Sequence, residues 1–376
     1  MKQNYYNITN ILEKKAQYNM LLGERSNGKS YQVKLVALWE AYNECDYYNF
    51  AKFGKMVKKD RYEFAYLRRW REEIKNKDIE NYFGDMDIKN ITKNEYTGVE
   101  VYQGEIYFKK FDSVLGKEIR GKHIGKAFCL TGETHYKSLA FPKIGNVIFE
   151  EFITKSGYLP HEVDNLTSII STIARRNFIR VFLIGNTISR LCPYFDEWEL
   201  VHVKKQEQGT IDMYRHKTNQ FLDNGNQLVV SIAVEYCANS GNNSKMFFGN
   251  NTKMVTSGVW ESEEFPHLER SLNSYKIHYQ LIYEYSSFKF VICLLTDPEK
   301  PKEPFLYIYP CTKEKKDIKR RITDKFTTDR YTTMKLTTVL KYDTLIMELI
   351  NQQKIVYSDN LTGTEFNQIK KEKGGY

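Results

Sequence analysis

The chain has 376 residues, a formal charge of +9 and six cysteines. Its length predicts two domains and a connector, because single cores stop growing beyond roughly 250–300 residues. The cysteines form no C-x-x-C pair, which argues against zinc and for a reducing cytoplasm, and without an apolar run of ~18 residues we expect a soluble, intracellular protein. The positive charge indicates either an anionic partner, such as nucleic acid or an acidic membrane surface, or an inert basic surface.

The first motif along the chain is residues 23–30, which read G-E-R-S-N-G-K-S after an apolar run. This spacing is that of a phosphate-binding P-loop. The run before it ends a candidate strand, and residues 31–39 carry apolar side chains at helical spacing, so strand, turn and helix follow in the required order. We therefore predict nucleotide binding. The alternative is a glycine turn capped by serine before an ordinary helix.

Each residue type in this motif has a physical role. Gly23 and Gly28 let the backbone turn tightly, so that amide hydrogens point at phosphate oxygens near the positive end of the following helix. Lys29 is expected to neutralise the β and γ phosphates, and Ser30 to place its hydroxyl on Mg²⁺. The other nucleotide-binding candidates are Glu24, Arg25, Ser26 and Asn27.

Further strands are predicted at Tyr62–Leu67, Val99–Tyr102, Glu105–Lys109, Ala127–Leu130, Asn146–Phe149 and Ile179–Ile184, with a hairpin turn about Gln103–Gly104. The last two strands are almost continuously apolar, as strands buried on both faces are. Between them, residues 159–173 place five apolar side chains on one helical face. Strand, helix and strand in this order predict a mostly parallel sheet. Residues 1–205 are therefore interpreted as an α/β nucleotide-binding domain.

Two acids directly follow one of the buried strands. Glu150 is expected to bind Mg²⁺ directly or through water, and Glu151 to polarise the attacking water. The alternative is a solvated acidic strand end. Asn186, after the next buried strand, is either a sensor of the γ phosphate or a turn asparagine. Arg175 and Arg176 end the intervening helix, where arginines complement a helix C-terminus, or one of them reaches a neighbouring subunit's nucleotide.

The composition of the sequence becomes more polar and loop-like after residue 205. Residues 206–265 contain loop-like polar stretches and are interpreted as a connector. Residues 266–376 are interpreted as a smaller mixed α/β domain. Its predicted elements are three antiparallel strands at 278–285, 288–295 and 304–309, joined by turns at Ser286–Ser287 and Asp297–Pro298, and a helix over Thr333–Ile350.

Five short motifs together resemble a known family. They are L-G-E-R-S-N-G-K-S-Y at 22–31, V-I-F-E-E-F-I at 147–153, T-I-A-R-R at 172–176, I-G-N at 184–186 and P-Y-F at 193–195. In this combination they resemble the DNA-packaging ATPase of φ29-type short-tailed bacteriophages, most clearly over residues 18–195.

The resemblance implies an ATPase that uses ATP and Mg²⁺ to pump double-stranded DNA into an empty capsid. Its N-terminal domain would be an ASCE-type P-loop ATPase, and its C-terminal domain would be RNase H-like without the acidic cluster of terminase nucleases. Expected partners are the phage portal and procapsid, a structural RNA, and copies of the same chain in a ring, a pentamer by resemblance. The expected place is the host cytoplasm, docked on the procapsid, with no membrane partner.

The resemblance also assigns roles residue by residue. Arg25 would add positive charge at the γ phosphate, and Glu150 stands where such motors usually carry aspartate. Arg175 matches the arginine that acts on the adjacent subunit best, with Arg176 as the alternative, and Lys137 matches a basic position that faces the adjacent subunit.

The candidate DNA contacts lie just past the second predicted strand, at Arg68, Arg69, Arg71 and Lys75. Phosphate contacts need only positive charge, and a solvated basic strand end is the alternative. A second basic run, 313–330, is expected to meet nucleic acid or capsid. Two other functions stay open: a P-loop kinase of a small acceptor, and a nucleic-acid or capsid binding module gated by nucleotide.

Overall fold

The computed structural model describes residues 6–372 except 155–156, 188, 191, 222–224, 226, 239–263, 286–287, 313–316, 319, 324–331 and 334–340. The chain divides into two compact units. The first comprises Met1–Thr187 and Pro193–Val259, and the second comprises Ile188–Cys192 and Trp260–Tyr376.

The first unit is built on a nine-stranded sheet. Its strands are β1 (Tyr18–Gly23), β2 (Glu63–Arg68), β3 (Gly98–Tyr102), β4 (Glu105–Asp112), β5 (Lys117–Cys129), β6 (Ile144–Glu150), β7 (Arg180–Asn186), β8 (Thr210–Phe221) and β9 (Gln227–Tyr236). They lie in the order β3-β4-β5-β2-β6-β7-β1-β9-β8. The six strands from β5 to β9 in this order pair in parallel, and antiparallel pairs extend the sheet at both edges.

The central strands explain why the sequence predicted a parallel sheet. Every residue of β1 and β6 is buried, and only the last residue of β7 is partly exposed. Strands covered on both faces need apolar side chains at successive positions, and these three have them almost throughout. The prediction of a mostly parallel α/β sheet is confirmed.

Helices cover this sheet, and the first residues of one of them line the candidate site. The helices are α1 (Thr9–Leu12), α2 (Lys29–Asn43), α3 (Tyr47–Phe53), α4 (Asn76–Tyr82), α5 (Ile88–Ile91), α6 (Glu133–Tyr136), α7 (Glu162–Ala174) and α8 (Pro193–Glu197). Helix α2 buries Val33, Val36 and Ala37 in the main core. The apolar face predicted for α7 is buried as expected. Among the described residues, no helix is both long and apolar enough to cross a membrane.

The prediction of a connector over residues 206–265 is wrong for its first half. Strands β8 and β9 form a hairpin within this range, and β9 pairs in parallel with β1, so both belong to the sheet of the first unit. Polar residues interrupt β8, and loop-like stretches flank both strands. In β9, however, residues 228–234 are apolar except for Ser231, so a strand signal was available there. Residues 239–263, most of the remaining predicted connector, lie outside the described residues.

The second unit contains a six-stranded sheet. Its strands are β10 (Lys276–Tyr285), β11 (Phe288–Asp297), β12 (Lys300–Pro310), β13 (Arg321–Thr323), β14 (Thr332–Thr333) and β15 (Ile355–Tyr357), and its helices are α9 (Lys341–Asn351) and α10 (Asn360–Glu372). The order is β14-β13-β10-β11-β12-β15, and β10, β11 and β12 pair antiparallel, as predicted. Strands β13 and β15 add in parallel at either side.

Three details of the predicted C-terminal elements differ or lie outside the description. The helix predicted from Thr333 is wrong at its start, because Thr333 belongs to a strand paired with β13. The described helix begins at Lys341. The turn predicted at residues 286–287 and most of the basic run 313–330 lie outside the described residues.

Candidate nucleotide-binding site

A cavity of about 820 Å³ lies where β1, β6 and β7 end. These strands are neighbours in the sheet and parallel, so their carboxyl ends meet at one edge, where ligands bind in open α/β sheets. The cavity is lined by Arg25, Ser26, Asn27, Gly28, Lys29, Ser30, Tyr31, Gln32, Lys34, Asp85, Glu150, Glu151, Ile184, Gly185 and Asn186. The motif of residues 23–30 and the two acids are therefore brought together, although more than 100 residues separate them in the sequence.

The turn between β1 and α2 has the backbone that its glycines predict. Gly28 has φ +96°, a conformation that residues with side chains rarely adopt, and α2 begins directly after it. A Cβ on Gly23 would lie 3.3 Å from the Cβ of Cys237, so the loop also needs glycine there for space. Gly28 has no side chain that could cap the first amides of the helix. The positive end of α2 therefore faces the cavity, which the first residues of the helix line.

Lys29 is buried at the floor of this cavity, with 4% of its surface exposed. Its Nζ donates to the backbone oxygen of Glu24 at 2.5 Å and to Oδ1 of Asn27 at 3.2 Å. Burial lowers the pKa of Lys29, and the nearby Glu150 carboxylate acts against that shift. A buried ammonium whose hydrogen-bond acceptors are neutral oxygens favours an added negative charge, which a phosphate group would supply.

Ser30 and Glu150 form the second half of the site. Both side chains line the cavity, and Tyr82 Oη donates to Glu150 Oε1 at 2.6 Å. Burial raises the pKa of Glu150, and the Tyr82 and Ser30 hydroxyls oppose that rise. A hydroxyl beside a carboxylate is the oxygen donor set that Mg²⁺ takes when phosphates and water complete its shell, so these residues fit the cation. Among the described residues, no group of three or more His, Cys, Asp or Glu forms a separate metal cluster.

Glu151 stands at the mouth of the cavity. Its backbone has φ +56°, and its side chain is 63% exposed, in contrast to the buried Glu150 before it. Arg68 Nη2 donates to Glu151 Oε2 at 2.9 Å and to Glu73 Oε1 at 2.5 Å. The neighbouring carboxylates raise the pKa of Arg68 despite its partial burial. Glu151 is thus fixed by an arginine and still open to solvent, a suitable state for a residue that orients water.

The sequence comparisons identify the family. The family model "Podovirus DNA encapsidation protein (Gp16)" matches residues 1–223. The chain belongs to this family. The DNA packaging protein of Bacillus phage phi29 is 29% identical over 205 residues, which cover 53% of this chain and 52% of that relative. The DNA packaging protein of Bacillus phage B103 is 28% identical over 270 residues, 64% of this chain and 73% of the relative.

This encapsidation-family chain thus spans about half the length of the phi29 relative that it matches. Its fold is similar to that of a chain in the solved bacteriophage Phi-29 viral genome packaging motor assembly. The TM-score is 0.53 and the identity 18%, with 98% of this chain and 99% of that chain covered.

The predicted γ-phosphate residues lie at the rim of the cavity in this family member. Asn186 is the last residue of β7 and pairs in register with Gly23 of β1. Arg25 is exposed and lines the opening. Asn186 therefore lies beside the loop that would hold phosphate, and Arg25 lies within it. Their roles stay predictions.

Lys137, Arg175 and Arg176 do not line the cavity of their own chain. Helix α7 starts after the carboxyl end of β6 and ends before the start of β7, so its C-terminus lies at the opposite edge of the sheet. All three side chains are exposed; Arg175 Nη2 donates to the oxygen of Leu139 at 2.8 Å, and Lys137 pairs with Glu133 at 3.0 Å.

The structure corrects one of the four predicted DNA contacts. Arg69 is 5% exposed, and its Nε and Nη2 each donate to Glu162 at 2.8 Å. It also donates to the backbone oxygen of Phe152 at 2.9 Å. Its charge is therefore neutralised inside the first unit, and the prediction of a DNA contact at Arg69 is wrong. Arg71 and Lys75 are exposed.

Three residues of the site were missed in the sequence. Lys34 and Asp85 line the cavity and form an ion pair, and Tyr82 binds Glu150. Lys34 stands four residues after Ser30 on one face of α2, and that spacing was available as a signal. The sequence gives no such signal for Tyr82 or Asp85, because their partners lie far along the chain.

Proposed function

We propose that this protein is an ATP-driven translocase that packages double-stranded viral DNA into a preformed capsid through its portal. The observation that carries the proposal is the convergence of Lys29, Ser30, Glu150 and Glu151 on one cavity at the carboxyl ends of parallel strands. A P-loop alone binds phosphate, whereas the added carboxylates are what hydrolysis requires. Family membership and relatives named as DNA packaging proteins support DNA as the cargo.

Each residue around the cavity is assigned a separate chemical role. The loop amides and Lys29 bind the β and γ phosphates, and Arg25 adds positive charge at the γ phosphate. Ser30 and Glu150 would hold Mg²⁺, which when bound supplies a Lewis acid for the developing phosphate charge. Glu151 orients the attacking water and accepts its proton, while Arg68 keeps that carboxylate at the cavity mouth. Asn186, on the rim, is proposed to sense the γ phosphate.

In this proposal a second subunit completes the site. The mouth of the cavity is open to solvent at Glu151 and Asp85, which are each paired within their own chain, so a side chain from a neighbour can approach there. Arg175 and Arg176 are exposed at the other edge of the sheet, and Lys137 is exposed just after α6. None of the three lines the cavity of its own chain, so each is free to reach a neighbour. Head-to-tail contacts of this kind close into rings. We propose a ring, a pentamer by resemblance, in which Arg175 or Arg176 acts on the adjacent nucleotide.

The remaining partners follow from the same proposal. Arg71 and Lys75 are retained as DNA-contacting side chains because both are exposed, whereas Arg68 already binds two carboxylates. The portal, the procapsid and a structural RNA are proposed as docking partners in the host cytoplasm. Contacts to phosphates alone predict packaging that ignores DNA sequence and weakens with salt.

The second unit is proposed to be an RNase H-like domain without nuclease activity. Its strand order supports that fold type: three antiparallel strands, β12-β11-β10, are followed by β13 and β14, which pair in parallel. Acids are few on the described strands, and Glu284 on β10 lies 4.0 Å from Lys289 of the adjacent strand.

The central experiment measures ATP hydrolysis with and without double-stranded DNA and portal-bearing procapsids. Lys29→Ala and Glu151→Gln are each expected to abolish the stimulated rate, and Lys110→Ala, an exposed lysine on β4, is the matched control. A basal rate that neither substitution changes would refute the assignment. ADP release that depends on a small acceptor and not on DNA would favour a kinase, and tight ATP binding without turnover would favour a nucleotide-gated binding module.

The two-subunit site has its own test. Subunits with Arg175→Ala or Arg176→Ala keep an intact P-loop, and subunits with Lys29→Ala keep both arginines. If the arginine acts on the neighbour, mixing two inactive preparations restores part of the ATPase activity. Mixtures that stay inactive, while wild-type subunits mixed with Lys29→Ala subunits retain activity, would contradict action across the interface.

A further inference from the structure

Tyr82 is part of a chain of contacts beside the candidate metal position. Its hydroxyl donates to Glu150 Oε1 at 2.6 Å, and its backbone oxygen accepts from Lys34 Nζ at 2.8 Å. Lys34 and Ser30 lie one helical turn apart on α2, and Ser30 and Glu150 line the same cavity. The hydrogen bonds therefore connect Glu150 through Tyr82 to Lys34, on the helix that also carries Ser30.

The Tyr82 ring is itself firmly held. It packs against the rings of Tyr66, with centroids 4.7 Å apart, and Phe83, at 4.9 Å. Lys34 Nζ lies 4.7 Å from the ring centroid and pairs with Asp85. A phenol held by these contacts presents its hydroxyl in one direction, so its hydrogen bond selects one orientation of the acceptor.

A glutamate at position 150 makes such support necessary. Its side chain has one more rotatable bond than aspartate, so its carboxylate reaches more positions and loses more conformational freedom when it is fixed. The Tyr82 hydrogen bond occupies one carboxylate oxygen and limits this freedom. Partners of this kind orient the groups that bind a metal, and their loss typically costs about 10–100-fold in metal affinity.

We propose that Tyr82 is a positioning residue that orients the Glu150 carboxylate toward the divalent cation of a bound nucleotide, with Lys34 anchoring Tyr82. The inference rests on the proposed function, since it assumes that the cavity binds a metal–nucleotide complex. It adds a residue that acts on the cation through another residue's carboxylate.

The test is Tyr82→Phe, which removes the hydroxyl and keeps the ring packing. Mn²⁺, a paramagnetic substitute for Mg²⁺, is titrated into full-length protein saturated with ADP, and bound ion is measured by electron paramagnetic resonance. We expect Mn²⁺ affinity to fall about tenfold or more, with ADP affinity in the absence of divalent cation unchanged. The control is Tyr136→Phe, whose hydroxyl contacts Cys129 outside the cavity, and which should keep wild-type affinity.

Two outcomes separate failure of this inference from failure of the proposed function. If wild type binds Mn²⁺ with ADP and Tyr82→Phe binds it equally well, the positioning role is overturned and the proposed function stands. If wild type binds no Mn²⁺–ADP, the proposed function fails as well. A double-mutant cycle with Glu150→Asp adds a check, because the shorter carboxylate should no longer reach Tyr82 and the effect of Tyr82→Phe on Mn²⁺ affinity should disappear.

Discussion

Removing the Arg69 side chain is expected to cost far more stability than its place in an arginine-rich cluster suggests. Arg69 forms two hydrogen bonds to Glu162, whose side chain is fully buried. Arg69→Ala leaves that carboxylate charged and without its cation. Breaking a buried pair in this way typically costs about 3–5 kcal/mol. Tyr194 Oη still donates to Glu162 at 2.9 Å, which favours the lower half of that range.

Urea unfolding of the full chain, followed by tryptophan fluorescence, measures this loss. Trp198 is a local reporter because its ring lies 5.4 Å from that of Tyr194, which binds Glu162. Arg71→Ala, an exposed residue of the same cluster, is the control and should change stability by less than about 0.5 kcal/mol. The double variant Arg69→Met, Glu162→Leu should recover most of the loss, since it leaves no buried charge unpaired. A loss below about 1 kcal/mol for Arg69→Ala would refute the reasoning.

Three further predictions concern pH and the loop. Hydrogen bonds to two glutamates raise the pKa of His123 to about 9, so the stability that protonated His123 adds should be complete below its unfolded pKa near 6.5 and lost as the pH rises through 9. Urea unfolding at several pH values should show a contribution of about 1–2 kcal/mol, after allowance for the one-third exposure of the side chain. The His123→Gln variant should lack this pH dependence. Burial raises the pKa of Glu235 to about 7, so the free energy of unfolding should fall as the pH rises from about 4.5 to 7. A Glu235→Gln variant whose stability fell equally over this pH range would show that Glu235 is not the group responsible. Gly23→Ala should weaken nucleotide binding at least tenfold in equilibrium titration, because a Cβ there crowds the loop, and unchanged affinity would count against the described geometry.

The sequence predicted those parts of the fold whose signal is local. The glycine spacing of residues 23–30 depends on neighbouring residues only, and strands buried on both faces carry their apolar pattern within themselves. The meeting of this loop with Glu150 and Glu151 followed from parallel strand order, which places carboxyl ends at one edge.

What the sequence could not supply were partners that lie far apart along the chain. In the sequence, Arg69 has the pattern of a basic surface residue, because its partner Glu162 lies 93 positions later. Tyr82 lies in a polar stretch without pattern, and its partner is 68 positions away. Strand β9 has a local apolar run over residues 228–234, but its place in the sheet is decided by a pairing with β1 that the sequence does not show.

The chain leaves the first unit twice, each time after a strand that ends at the nucleotide edge of the sheet. It leaves after Thr187, directly beyond β7, and again after Val259, beyond β9 in the sequence. These strands flank β1 on either side, and their ends are bonded to it: Thr187 N donates to Gly23 O at 3.3 Å, and Cys237 N to Leu22 O at 2.8 Å. The strand that carries the phosphate loop is therefore bonded, on either side, to the end of a strand after which the chain leaves the first unit, so a displacement of either strand end would act directly on β1.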